Sequence, residues 1–260
     1  MTRWNRALVT GASSGIGRAI ATQLAADGTR LVVVARDEAR LNDLADEVGV
    51  DVEVLVADLA DPRALARVED RLRDDEAGPI DLLVNNAGFG VSGPFHEVDV
   101  EVASTVIDVN VTAVHRLAQV AATAMVNRSE SGTGGGGILN VSSMVAFAPS
   151  PNGATYAATK AFVNALSEAL HAELQPHRIH VTALCPGFTR TEFQDRADYD
   201  ASGVPDRLWQ NASEVAAAGL EGVDVNRAVV VPGAVNRIGA GLVNALPGSV
   251  RRFVVPRISL

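Results

Sequence analysis

Short apolar runs alternate with amphipathic stretches along most of this 260-residue chain, and no other feature restricts its fold as much. Ala7–Thr10, Leu31–Ala35, Val52–Ala57, Ile80–Asn85, Gly137–Ser142 and Ile179–Leu184 read as strands buried on both faces. Between them, Ile16–Ala26, Asp37–Val48, Pro62–Asp75, Val100–Asn127 and Ala154–Leu174 carry apolar residues at helical spacing. Asp61-Pro62 supplies a helix start, with Asp as cap and Pro in the first turn. Strands that alternate with helices pack as a parallel sheet covered on both sides, which defines an α/β fold. In such a sheet, ligands bind beyond the carboxyl ends of the strands, so the residues that end each strand carry the functional information. Arg128–Gly137 lacks periodicity and reads as a surface insertion rather than a lid, because charge is its only chemistry. No internal repeat or linker divides the chain.

The charge balance narrows the partners. A net charge of −9 argues against a nucleic-acid binder, which needs a basic patch. All 31 acidic residues lie at or before Asp224, and the residues after it hold five Arg and no acid. Within that tail Val235, Ile238, Leu242 and Leu246 form an amphipathic stripe that Gly239 and Gly241 weaken. Packing or a subunit contact ranks ahead of an anionic membrane as its role. A single Cys185 excludes an intrachain disulfide and suits a reducing compartment. With no leader-like start and no apolar run near ~18 residues, the cytoplasm is the expected location.

The strand ends point to a nucleotide. The first strand runs into Thr10-Gly11-Ala12-Ser13-Ser14-Gly15-Ile16-Gly17 and then a helix. Glycines there allow a tight turn and let a pyrophosphate approach the N–H groups of a helix start. The second strand ends at Arg36-Asp37: an Arg would bind a ribose 2′-phosphate, whereas an Asp would hold the free ribose and repel that phosphate. Asp37-Glu38 suits the positive end of the next helix, which leaves Arg36 facing the cofactor and favours NADP over NAD. At the third strand end, Asp58-Leu59 either meets an adenine edge or makes a turn. The fourth delivers Asn85-Asn86-Ala87-Gly88, whose amides can bridge strands and leave room for a flat ring; an ordinary turn is the competing account. The fifth ends in Ser142-Ser143.

Lys160 is the only lysine, in a chain whose other 21 basic residues are Arg. It stands four residues after Tyr156, so a helix over 154–174 stacks phenol and ammonium on one face. An ammonium close to a phenol favours the phenolate and lowers its pKa from about 10.

With Thr10–Gly17, Asn85–Gly88, Ser143 and Tyr156-x-x-x-Lys160 in this order, the chain resembles the short-chain dehydrogenase/reductase family over about residues 5–195. The resemblance implies one Rossmann-type doubly wound domain with a seven-stranded parallel sheet spanning 1–260, of which 1–150 mainly bind cofactor and 140–260 hold the catalytic and substrate region. It implies that Tyr156 is the acid/base and that Ser143 holds the carbonyl oxygen. Lys160 would bind the nicotinamide ribose and lower the Tyr156 pKa, and Asn110 would hold a water linking Lys160 to solvent. Gly11, Ser13, Ser14, Gly15, Ile16, Gly17, Arg36, Asp58, Leu59, Asn86, Ala87 and Gly88 would contact the cofactor. Pro186-Gly187-Phe188-Thr189 would cover the nicotinamide, with Thr189 and Thr191 near the phosphates. Cys185 stands where the family often has Asn; with no His beside it, packing is its expected role. The resemblance implies no metal site, and a homodimer or homotetramer with the 154–174 helix in a subunit contact.

The implied reaction is reduction of a ketone or aldehyde by NADPH, with Tyr156 donating the proton. Phe89, Met144, Phe147, Pro149, Asn152, Phe188, Phe193 and Trp209 are candidate pocket residues, and their mostly apolar character suggests a hydrophobic carbonyl substrate. Two rivals use the same residues: a cofactor sensor without turnover, and a sugar-nucleotide epimerase or dehydratase. The short region after the sixth strand leaves little room for the second.

Overall fold

A computed structural model describes residues 3–132, 134–148, 150–197, 199 and 203–247. Its elements run in the order β1 (Arg6–Thr10), α1 (Gly15–Ala26), β2 (Arg30–Ala35), α2 (Glu38–Glu47), β3 (Val52–Val56), α3 (Pro62–Arg73), β4 (Leu82–Asn85), α4 (Val100–Ile107), α5 (Val114–Glu130) and β5 (Gly136–Val141). They continue with α6 (Ala154–Leu174), β6 (Ile179–Leu184), β7 (Thr189–Arg190), α7 (Phe193–Arg196), β8 (Gln210–Asn211), α8 (Ala212–Asp224), β9 (Val229–Val230) and α9 (Ala234–Ala245). β7 and β8 form a small parallel pair; the rest make a seven-stranded sheet in the order β3-β2-β1-β4-β5-β6-β9, with every pairing parallel. This is the Rossmann-type arrangement that the alternating sequence implies.

Strand residues alternate faces, so each strand feeds two cores. Ala7, Val9, Leu31 and Val33 pack with Ile20 and Leu24 of α1, Leu41 and Leu44 of α2, and Val215 and Val223 of α8. Leu8, Val32, Val34 and Ile138 pack on the opposite side with Leu65, Val68 and Leu72 of α3, Leu117 and Met125 of α5, and Leu174 of α6. Residues such as Leu83 and Ile138 are fully buried, and truncating either to Ala costs about 2–5 kcal/mol.

The strand order reverses direction between β1 and β4. Their register pairs Val9 with Val84, which sets Thr10 beside Asn85 at the carboxyl edge of the sheet. That switch point is where a doubly wound sheet opens a crevice.

Some boundaries differ from the sequence reading. β3 and β5 end one residue earlier than read, β1, β2 and β5 start one residue earlier, and β4 begins at Leu82 rather than Ile80. The helix read as Val100–Asn127 is three segments: α4, a π-helical turn over Asp108–Ala113, and α5. Because α5 continues to Glu130 and β5 opens at Gly136, the Arg128–Gly137 insertion shrinks to a short connection. α9 forms despite Gly239 and Gly241, with Val235, Ile238 and Leu242 exposed. Pro149, Arg251, Arg252 and Arg257 lie outside the described residues.

Candidate active site

The turn after β1 and the loop after β4 are built against each other. Thr10 Oγ1 accepts from the backbone N–H of both Asn86 and Ala87 at 3.0 Å. The Asn86 amide donates to the carbonyls of Thr10 and Gly11 at 2.9 and 3.2 Å, while Asn85 donates to Asn140 Oδ1 of β5 at 2.9 Å. The two amides do bridge neighbouring strands. Gly11 sits at φ +66°, and a Cβ there would lie 2.7 Å from the Asn86 amide and 2.9 Å from Ala87 Cα, so only glycine fits.

The start of α1 fits a pyrophosphate. Ser14 is its cap residue but makes no side-chain cap bond, whereas Asp37, Asp61 and Asp99 each cap their own helices. The first N–H groups of α1 therefore point without a side-chain cap at the glycine turn. Ser13, Gly15 and Ile16 are part-buried along this turn, and Gly17 is buried at the helix. Asp37 accepts from the Arg40 backbone N–H at 3.1 Å as helix cap. Arg36 is exposed and lies 3.7 Å from Asp58, whose Oδ1 also accepts from Ala60 N–H. Asp58 is thus both a turn residue and an ion-pair partner at the crevice. Leu59 is buried in the core.

Asn110 lies in the π-helical turn and is fully buried. Its amide donates to the Phe89 carbonyl at 2.9 Å and Thr159 Oγ1 at 3.1 Å, and its Oδ1 accepts from Phe89 N–H at 3.2 Å. One side chain thereby ties the loop after β4 to α6. A widened turn is a common way to re-aim a residue at a functional site.

Ser143 caps a short 3₁₀ turn over Met144–Phe147 after β5, accepting from Val145 N–H at 3.3 Å. Its side chain lies close enough to Tyr156 to favour the phenolate. Lys160 is buried, and its ammonium donates to the Val141 carbonyl at 2.9 Å while Ser142 Oγ donates to the Lys160 carbonyl at 2.9 Å. Those two bonds pin α6 to the end of β5. The Lys160 ammonium lies 5.7 Å from the Tyr156 ring centroid. Burial pushes Lys160 down to about 8. Tyr156 corrects the sequence expectation: burial pushes its phenol up to about 12, and the nearby Ser143 side chain offsets only part of that. The ring is part-exposed, yet the hydroxyl end sits among protein atoms, where desolvation of a phenolate outweighs a cation 5.7 Å from the ring centre. Cys185 is buried and hydrogen-bonded to Asn164 Oδ1 at 3.2 Å, and burial pushes its thiol up to about 12.

The connection from β6 completes the cleft. Pro186 and Thr189 are buried, and Thr189 Oγ1 donates to the Gly187 carbonyl at 3.1 Å. Phe193 lies with its ring centroid 5.3 Å from that of Tyr156. Phe188 packs tilted against Trp209 with ring centroids 5.7 Å apart, and Asn236 of α9 donates to Gln210 Oε1 at 3.0 Å above Gly187. Phe89, Met144 and Phe147 are part-buried on the segments that also carry Gly88 and Ser143. Asn152 sits at φ 60° and its carbonyl accepts from Gly93 N–H, so its backbone shapes the rim.

The sequence profile of the short chain dehydrogenases matches residues 5–201. The chain belongs to that family. L-xylulose reductase of Bos taurus is 37% identical over 206 residues, covering 78% of this chain and 80% of the relative. Among solved structures, a short-chain dehydrogenase from Sphingobium yanoikuyae in complex with NADPH is 40% identical with a TM-score of 0.81, covering 94% of this chain and 97% of that one. The bulky-bulky ketone specific alcohol dehydrogenase from Comamonas testosteroni is 35% identical with a TM-score of 0.75, covering 94% and 96%. This chain is therefore an oxidoreductase of the dehydrogenase family, acting on CH–OH and C=O groups through a nucleotide-binding Rossmann fold.

The sequence reading of this dehydrogenase missed four residues. Arg40 pairs with Glu192 at 2.8 Å, and Gln210 and Asn236 close over Gly187. Arg40 and Glu192 are 152 positions apart, and no local spacing marks them. Glu192 does lie between Thr191 and Phe193, two residues that the sequence reading singled out.

Proposed function

We propose that this dehydrogenase reduces a ketone or aldehyde of a hydrophobic substrate with NADPH, using Tyr156 as proton donor. The observation that carries the reading is the convergence of Ser143, Tyr156 and Lys160 where β5 meets α6, with Phe193 packed on Tyr156.

When bound, the nicotinamide cofactor supplies the hydride to the carbonyl carbon. The N–H groups opening α1 with Ser13, Ser14, Gly15, Ile16 and Gly17 would hold the pyrophosphate, and Asn86, Ala87 and Gly88 would border the ring. Arg36 is exposed at the second strand end, free to turn from Asp58 to a 2′-phosphate, which supports NADPH over NADH. Pro186–Thr189 would cover the nicotinamide.

The phenol's elevated pKa keeps Tyr156 protonated through the working pH range, so it delivers a proton as negative charge grows on the substrate oxygen. The Ser143 hydroxyl, whose oxygen already accepts from Val145 N–H, keeps its proton to donate to the same substrate oxygen and stabilises that charge. Lys160 places a positive charge behind the phenol and eases its passage to phenolate during the transfer. Asn110 holds the loop carrying Gly88 and Phe89 against α6, which fixes the gap above Lys160. Phe89, Met144, Phe147, Phe188, Phe193 and Trp209 are the proposed substrate walls, in keeping with a hydrophobic carbonyl.

We place the protein in the cytoplasm, where a free buried thiol such as Cys185 is at home. No helix among the described residues is long and apolar enough to cross a membrane. Exposed Ile107 and Phe162 and a groove lined by His115, Gln119, Leu166 and Leu170 between α5 and α6 support a homodimer or homotetramer.

The test is a titration of the purified protein with NADPH and NADH by nicotinamide fluorescence, followed by addition of bulky aryl and alkyl ketones and aldehydes. NADPH consumption by these carbonyls is the expected result. Tight NADPH binding without turnover on any of them would favour a cofactor sensor instead.

A further inference from the structure

Three consecutive residues after β7 touch three different parts of the cleft. Thr191 packs on the dinucleotide turn, with its Cγ2 only 3.1 Å from where a Cβ on Gly15 would stand. Glu192 receives Arg40 Nη1 on both carboxylate oxygens at 2.8 Å. Phe193 rests on the Tyr156 ring at 5.3 Å, and its backbone N–H donates to Thr191 Oγ1 at 3.2 Å. The segment therefore spans the crevice from the start of α1 to the phenol.

Arg40 is anchored at its own end. Its backbone N–H donates to Asp37 Oδ1, its Nε lies 3.4 Å from Asp37 Oδ2, and its carbonyl accepts from Arg18. Arg36, one turn earlier, is directed to Asp58 instead. The two arginines near the second strand end thus have different partners: one faces the crevice mouth, the other grips the strap. The Glu192 carboxylate beside it holds the Arg40 guanidinium above its usual pKa.

We propose that Arg40 and Glu192 are a positioning pair that clasps the Thr191–Phe193 strap across the cofactor crevice and, through Phe193, sets the orientation of Tyr156. Neither residue touches the reacting atoms in this account. The clasp acts alike on NADPH and NADH, because it closes over the turn at Gly15 and not over a 2′-phosphate. For its cofactor arm the inference rests on the function proposed above; the strap itself can be followed without any cofactor.

Four variants of the full chain test it: R40Q, E192Q, the double R40Q/E192Q, and the charge swap R40E/E192R. In the cofactor-free protein, amide hydrogen exchange at Phe193 and Ala197, whose N–H groups bond within the strap, should quicken in each single variant. The expected factor is about two- to fivefold, the range for a part-exposed ion pair. The double variant should be no faster than either single, and the swap should return towards the wild-type rate, with thermal midpoints unchanged. Stopped-flow dissociation of NADPH and NADH should accelerate by one common factor in R40Q and E192Q, with kcat falling and KM for the carbonyl little changed.

Wild-type exchange in both single variants would overturn the clasp. So would loss of NADPH affinity in R40Q alone, with NADH and E192Q unaffected, since that pattern makes Arg40 a direct phosphate contact. Failure of the wild type to bind either cofactor would refute the proposed function, while the exchange data would still decide the clasp.

Discussion

The Lys160 ammonium lies 5.7 Å from the centroid of the Tyr156 ring and donates its hydrogen bond to the Val141 carbonyl. Burial holds this lysine at about 8. Its charge is present below that pH and is lost as pH rises through it. Reductive kcat/KM should therefore fall above pH ~8, by about tenfold per unit, and a pH–rate profile will show it. K160M should lose that limb. K160R should keep its charge at every pH yet remain about 10²-fold slower, because the wide guanidinium does not fit the space of the ammonium.

Gly88 lies against the same group. A Cβ there would come 2.9 Å from Asn110 Oδ1 and 3.3 Å from Lys160 Nζ. G88A should lower kcat by about 10²-fold, since small displacements at a catalytic centre carry that cost. N110A strands both the N–H and the carbonyl of Phe89, and should lose about 1–3 kcal/mol in chemical denaturation.

In the proposed reading, Arg36 separates the cofactors. R36D removes the cation facing the 2′-phosphate and adds a carboxylate that repels it. NADPH affinity should drop by about 10- to 100-fold, the range for a charge-assisted hydrogen bond, while NADH binds as well or better. Fluorescence titration of the two cofactors measures the ratio.

Cys185 makes a stability prediction. Its thiol is held at about 12 in the folded chain against an ordinary value of 9.0. Between those pH values the unfolded chain gives up the proton and the folded chain keeps it, so unfolding is favoured as pH rises. The stability from the neutral thiol is complete below pH 9 and declines towards 12. Urea midpoints measured from pH 8 upward should fall less steeply in C185A. In the native protein a thiol reagent should leave Cys185 untouched at pH 8.

Much of this was legible from residues alone. The apolar runs located six of the seven sheet strands, and the bounds of α6 and β6 are as read, because each is a clean run with a sharp stop. The π turn around Asn110 was not legible, since the extra residue leaves the apolar spacing on either side intact. Thr10–Gly17, Asn85–Gly88 and Ser143 sit at strand ends where a parallel sheet must put them, and Tyr156 and Lys160 sit on α6 as their four-residue spacing implies. The sign of the Tyr156 shift was missed because spacing reports that a cation is near but not how deeply the phenol is buried. Arg40 and Glu192 meet only through the tertiary fold.

The role of Tyr156 is tested most directly by Y156F in a single-turnover experiment with bound NADPH and a reducible ketone. NADPH should bind within about twofold of wild type, because the phenol's proton is what the substitution removes. Hydride transfer should fall by about 10²–10⁴-fold, the contribution of a positioned proton donor. Transfer at the wild-type rate would contradict the account and move the proton to another group.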